Sequence, residues 1–184
     1  MDHTQADTMK IDKTKINDCV VIETEKYDDR RGFLQELYSR DWEHPCLQTD
    51  WKHVVSSKSK NGVIRGIHWA PYNKLVSCVA GKLFDVIVDM RPESTTFRLW
   101  VGVWLNGNST KKVFVPKGCG HGFFAATCSV MVYLKDQCFR PDVEQDWHWQ
   151  SFGIEWPECP KYILSDKDQN AKTFSAKNFP NQST

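Results

Sequence analysis

From Cys19 onward the chain is cut into short β-branched and aromatic runs, each closed by a turn signal, and helix is scarce. The runs fall at residues 19–23, 33–38, 51–57, 63–69, 74–80, 82–89, 98–105, 112–115, 122–126 and 129–136. Between them stand Asp28-Asp29-Arg30-Arg31-Gly32, Lys60-Asn61-Gly62, Ala80-Gly81, Asn106-Gly107-Asn108 and Pro116-Lys117-Gly118, residue types that supply turn dihedrals. Many short strands at this spacing predict an all-β antiparallel sandwich or barrel. Helical turns are expected only near 39–43 and 167–172.

Strand parity adds a hint about the interior, because neighbouring side chains face opposite ways. Phe84, Val86 and Val88 share one face, Asp85, Ile87 and Asp89 the other, and Lys74 shares a face with Val76 and Cys78. Single charges on apolar faces suit a barrel that holds a polar ligand. They suit an ordinary solvated face equally well.

A length of 184 residues fits one domain, with residues 1–14 as a lead-in and 173–184 as a polar tail. Twenty-four basic residues against 23 acidic ones leave no electrostatic reason to expect nucleic acid or a membrane surface. No apolar run reaches the ~18 residues of a membrane span, and Met1 to Lys10 lacks the apolar core of a signal peptide. The seven cysteines are irregularly spaced with no CxxC pair, which argues against a disulfide framework or a zinc site and fits a reducing cytoplasm.

Three segments set titratable residues among glycines and apolar residues. They are Gly62-Val63-Ile64-Arg65-Gly66-Ile67-His68-Trp69 with Lys74 just beyond, Pro116-Lys117-Gly118-Cys119-Gly120-His121-Gly122-Phe123, and Leu164-Ser165-Asp166-Lys167-Asp168. Taken singly, His68 reads equally as a core histidine or a base, and His121 and Asp168 lean to structural roles. Arg65 and His68 have opposite parity, so both can face inward only if the strand bends, most simply at Gly66.

Together with Arg31-Gly32-Phe33, Glu36, the run Phe84 to Arg91 and Gly153-Ile154-Glu155-Trp156-Pro157, these blocks resemble the dTDP-4-dehydrorhamnose 3,5-epimerase family from about Val20 to Asp168. The resemblance implies a cupin-type jelly roll, a nucleotide-diphosphate-linked 4-keto-6-deoxy sugar as substrate, no cofactor and no metal. It also implies a homodimer in which N-terminal strands cross to the partner. By the same resemblance His68 is the base that removes a proton beside the ketone, Asp168 orients it, and Lys74 meets the charge on the C4 oxygen. His121 positions substrate, Asp85 is a buried carboxylate, and Arg65 and Arg31 bind the diphosphate. Glu36 and Lys167 join the substrate contacts, and Phe139 offers a face for the base.

The sequence departs from the family in three places. Counted without a gap from His121, the position of the family's acid tyrosine holds Leu134, and Tyr133 comes one residue early. One residue along a strand is the opposite face, so Tyr133 serves as the acid only if a bulge turns it inward. Epimerisation at C3 alone and at both C3 and C5 are therefore both open. The loop from Trp69 to Asn73 is about four residues shorter than the family's. A Gln-x-Asn pair that meets the nucleoside is here His53 and Val55, which leaves the nucleotide open. The alternatives are a nucleotide-sugar 3,4-ketoisomerase, and a cupin that binds a nucleotide sugar without turning it over.

Overall fold

The computed structural model describes residues 9–175, so residues 1–8 of the lead-in and 176–184 of the tail lie outside it. The strands are β1 (Lys10–Lys13), β2 (Val20–Glu23), β3 (Tyr27–Asp29), β4 (Gly32–Leu34), β5 (His53–Ser59), β6 (Ile64–Trp69) and β7 (Lys74–Ala80). They continue with β8 (Lys82–Asp89), β9 (Trp100–Asn106), β10 (Lys111–Val115), β11 (Cys119–Ala125), β12 (Ser129–Lys135) and β13 (Gln145–Asp146), followed by helix α1 (Asp166–Gln169). One sheet runs β1-β2-β10-β7-β12-β5 and the facing one β13-β6-β11-β8-β9, all strand pairs antiparallel. This is the expected cupin-type jelly roll.

Three runs depart from the sequence reading. Lys10–Lys13 is a strand paired along β2, not a loose lead-in. The run at 33–38 yields strand only over Gly32–Leu34, which pairs with Tyr27–Asp29 in a separate two-stranded hairpin. The turn near 39–43 does not become helix, whereas that near 167–172 does, as α1. Ser165 caps α1 by accepting from the Asp168 amide, as an N-cap serine should.

The central strands of both sheets are covered on both faces, which explains runs more apolar than strict alternation gives. Between them lies a core that includes Ile16, Val76, Cys78, Leu83, Ile87, Val113, Phe123 and Met131. Behind the first sheet, Trp42 and Leu47 pack with Val20, Leu75, Phe114 and Leu134. Behind the second, Trp147, Ile154 and Phe174 of the C-terminal segment cover Ile67, Val86 and Val88. The face Phe84-Val86-Val88 thus looks outward onto that segment, and Asp85 and Ile87 look inward.

Candidate active site

The inner faces leave a cavity of about 260 Å3. His68 of β6 and His121 of β11 line it as directly opposed cross-strand neighbours. His68 Nε2 lies 2.7 Å from Asp168 Oδ1 and 3.6 Å from Asp146 Oδ1. A carboxylate can only accept, so Nε2 carries the hydrogen and Nδ1 keeps a basic lone pair. Asp168 is itself buried and accepts from Ser165 Oγ at 3.0 Å. Burial pushes the Asp168 carboxyl up, but the hydrogen bond and charge of His68, with Ser165 and Lys167, hold it below the usual range. The second histidine is paired the same way, His121 Nε2 to Asp85 Oδ1 at 2.7 Å, with both groups buried. Burial lowers His121 despite Asp85, which keeps its ring neutral at pH 7.

The bend expected at Gly66 is present. On β11 one step of two residues, His121 to Phe123, spans three on β6, His68 to Arg65, so β6 bulges there. Gly66 has φ +122°, and a Cβ on it would lie 2.6 Å from the Gly122 Cα, so only glycine fits. Arg65 and His68 consequently both line the cavity. Arg65 Nε donates to Ser59 Oγ at 3.0 Å, and its Nη2 to the Lys58 carbonyl at 3.3 Å.

A second bulge corrects the reading of Leu134 as the inward residue. Val130 pairs with Ala80 but Met131 pairs with Cys78, leaving Val79 of β7 looped out. Had the pairing continued unbroken, Leu134 would stand opposite Val76 on the inner face. Instead Tyr133 does, and Leu134 stands opposite Leu75 in the outer cluster. The Tyr133 hydroxyl shares a hydrogen bond with Ser57 Oγ at 3.2 Å, and its ring sits edge-on to His121 at 6.0 Å. Burial pushes its pKa to about 12, so it holds its proton at neutral pH. His68 and Tyr133 therefore project from facing sheets into one space.

Lys74, at the start of β7, is buried in the cavity wall, and burial followed by the charge of Lys135 brings its pKa down to about 8. Lys135 was missed by the sequence reading, although it shares the parity of Tyr133. Also missed were Ser57, Asp146, and the pair Tyr72 and Glu144 beside the two lysines. The Tyr72 hydroxyl donates to Glu144 Oε1 and lies 3.4 Å from Lys135 Nζ. Tyr72 occupies the shortened loop, where no family residue pointed to it.

The other expected site residues divide. Phe139, Lys167 and Val55 line the cavity, and Lys167 Nζ bonds Asp146 Oδ2 at 3.0 Å. His53 lies two residues from Val55 on the same strand, opposite Lys135, without lining the cavity itself. Arg31 and Glu36 are not brought to it by this chain. Arg31 forks onto Asp29 in the β3–β4 turn (Nε to Oδ2, 3.0 Å), and Glu36 accepts from Trp42 Nε1 at 3.2 Å. Among the described residues no group of three or more His, Cys, Asp or Glu could hold a metal ion.

A jelly roll with two carboxylate-held histidines, a buried lysine and a cavity-facing tyrosine defines a cupin-type protein equipped to move protons on a polar ligand. The dTDP-4-dehydrorhamnose 3,5-epimerase profile matches residues 13–176. The enzyme of that name from Shigella flexneri is 35% identical over 175 residues, 90% of this chain and 96% of its own. The Escherichia coli K12 enzyme is 33% identical, covering 90% and 95%. Among solved structures, the dTDP-6-deoxy-D-glucose-3,5-epimerase of Legionella pneumophila, in complex with dTDP-4-keto-L-rhamnose, superposes with TM-score 0.87 at 33% identity, covering 96% of this chain and 100% of that one. A 3'-monoepimerase from Streptomyces bikiniensis, in complex with dTDP-quinovose, gives 0.82 at 28%, covering 87% and 85%. The chain belongs to the dTDP-4-dehydrorhamnose 3,5-epimerase family.

Proposed function

We propose that this protein epimerises a nucleotide-diphosphate-linked 4-keto-6-deoxy sugar at the carbons beside its ketone. The observation that carries this is the placing of His68 and Tyr133 on facing walls of one cavity, with the buried Lys74 in the same wall as the tyrosine. Inversion of a carbon requires a proton to leave one face and another to arrive at the opposite face. A single-sided site cannot do that.

His68, through Nδ1, takes the proton from carbon while Asp168 supports the imidazolium that forms. Negative charge moves onto the C4 oxygen, where Lys74 stabilises it in a site screened from water. Tyr133 returns a proton from the other wall. His121, held neutral by burial, positions the sugar, and Arg65 supplies paired donors to the diphosphate. Phe139, half exposed at the mouth, offers its face to the nucleobase. The steps use side chains alone, so no metal or cofactor is assigned.

Incubation in deuterated water with dTDP-, UDP- and GDP-linked 4-keto-6-deoxy sugars, followed by NMR, tests this reading. Deuterium should enter at C3, or at C3 and C5, without movement of the ketone. Ketone transfer between C3 and C4 would make the protein a ketoisomerase, and no exchange with any nucleotide would make it a binder. The inward tyrosine supports reaction at both carbons, and the similar 3'-monoepimerase keeps C3 alone as the second reading.

We further infer a homodimer. The β3–β4 hairpin exposes Tyr27, Phe33 and Leu34 and carries Arg31 away from its own cavity. These features support a role for Arg31, with Glu36, in a partner's site. Seven free cysteines support a reducing, cytoplasmic location.

A further inference from the structure

Lys135 and Lys74 are cross-strand partners on the inner face, so two ammonium groups enter one wall of the cavity side by side. Like charges at such positions repel and are ordinarily avoided. Here they straddle one ring. Lys74 Nζ lies 5.7 Å and Lys135 Nζ 5.4 Å from the centre of Tyr72, and Lys135 is also 5.9 Å from Phe139. The Tyr72 hydroxyl, within 3.4 Å of Lys135 Nζ, is in turn fixed by Glu144. Tyr72 is 2% exposed, so this arrangement is built in rather than a chance surface meeting.

Resting on the reading of Lys74 given above, we propose that Lys135 is a positioning residue for Lys74. Its ammonium, held in place by Tyr72 and Glu144, makes Lys74 a proton donor to the C4 oxygen rather than a fixed charge beside it. A proton donor works best when it can release its proton near the working pH. Lys74, brought to about 8 by burial and by Lys135, meets that condition. The other groups facing it are Glu144 and Asp85, which favour its charged form, with Cys119, His121 and Tyr72 completing its surroundings.

The carbon–hydrogen bond breaks toward His68 Nδ1 and its electron pair moves through the carbon framework to the C4 oxygen. Lys74 Nζ gives that oxygen a proton, leaving a neutral enol and a neutral amine. On return the enol proton goes back to Lys74 and the carbon takes a proton from Tyr133. Solvent then restores the tyrosine and removes the proton from His68.

The test is the pH profile of kcat/KM for solvent exchange with the dTDP-linked 4-keto-6-deoxy sugar. Activity should fall as pH rises through about 8, where Lys74 loses its proton. Lys135→Met should move this alkaline limb upward by about half a pH unit or more, by removing the neighbouring charge. Lys135→Gln is the substitute if the methionine variant fails to fold. Lys135→Arg should leave the limb in place, and Glu144→Gln should move it downward. A purely structural role would not give opposite shifts. An unmoved limb in Lys135→Met, or an arginine variant that behaves like the methionine one, would overturn the proposal. If Lys74→Met abolishes exchange while the Lys135→Met limb stays put, the role of Lys74 stands and only the proposal fails. Full turnover by Lys74→Met would overturn both.

Discussion

His68 can act as a base only while its ring is held with Nδ1 free, and that depends on Asp168 at 2.7 Å. His68→Ala should therefore remove exchange, a loss of about 10²–10⁴-fold, while the protein keeps a cooperative thermal transition, lowered by the loss of Asp168's partner. Asp168→Asn should lose less, because the ring stays but its charged partner goes. Near-normal turnover in His68→Ala would reassign the base. Tyr133→Phe should leave His68 able to exchange the substrate proton but suppress inversion, so that NMR in deuterated water finds deuterium entering with configuration retained. Full inversion in that variant would remove Tyr133 from the acid's role. His68 with Lys74, His121 and Asp168 could be picked out because they sit in three glycine-marked or apolar blocks, and the family resemblance joined those blocks into one expected site. Lys135 and Glu144 carried no such mark, since a lysine at the end of a strand or a glutamate in a polar stretch looks like any solvated side chain until the strands are paired.

The two bulges show when an element's geometry can be read ahead of its structure. At β6 the sequence held a conflict, two functional side chains of opposite parity with a glycine between, and a bend was the only resolution. Gly66→Ala should cost about 2–5 kcal/mol in urea unfolding, from its positive φ and the close approach of Gly122. A loss well under that would mean the strand can straighten. At β7 the looped residue is Val79, a good strand former, and its bulge is visible only against β12. The ungapped count therefore chose Leu134 wrongly for a reason that lies in another strand. Leu134→Tyr should now add nothing to exchange at either carbon. It should instead destabilise by about 1–3 kcal/mol, because the larger ring would be forced among Leu75, Leu47 and Trp42 behind the sheet. A gain in C5 exchange from this variant would show that the strand can slip.

For the whole molecule, the all-β antiparallel class followed from the rhythm of strands and turns and the jelly roll from the family resemblance, but the isolated hairpin followed from neither. Its residues read as ordinary strand and turn, and nothing in their spacing says that they leave the sheet. Light scattering should find a dimer at micromolar concentration, and Arg31→Ala should raise KM for the nucleotide sugar more than it lowers kcat. A monomer with full activity would return Arg31 to a surface role. The C-terminal segment carries a different lesson. It seals the outer face of the second sheet with Trp147, Ile154 and Phe174, and on the way it delivers Asp168 to the histidine of β6. Outer packing and catalytic tuning are thus joined in one stretch of chain. Loosening the aromatic seal around Trp147 and Phe174 should also draw the carboxylate away from the histidine, so damage to the outer wall is felt first as a weaker base.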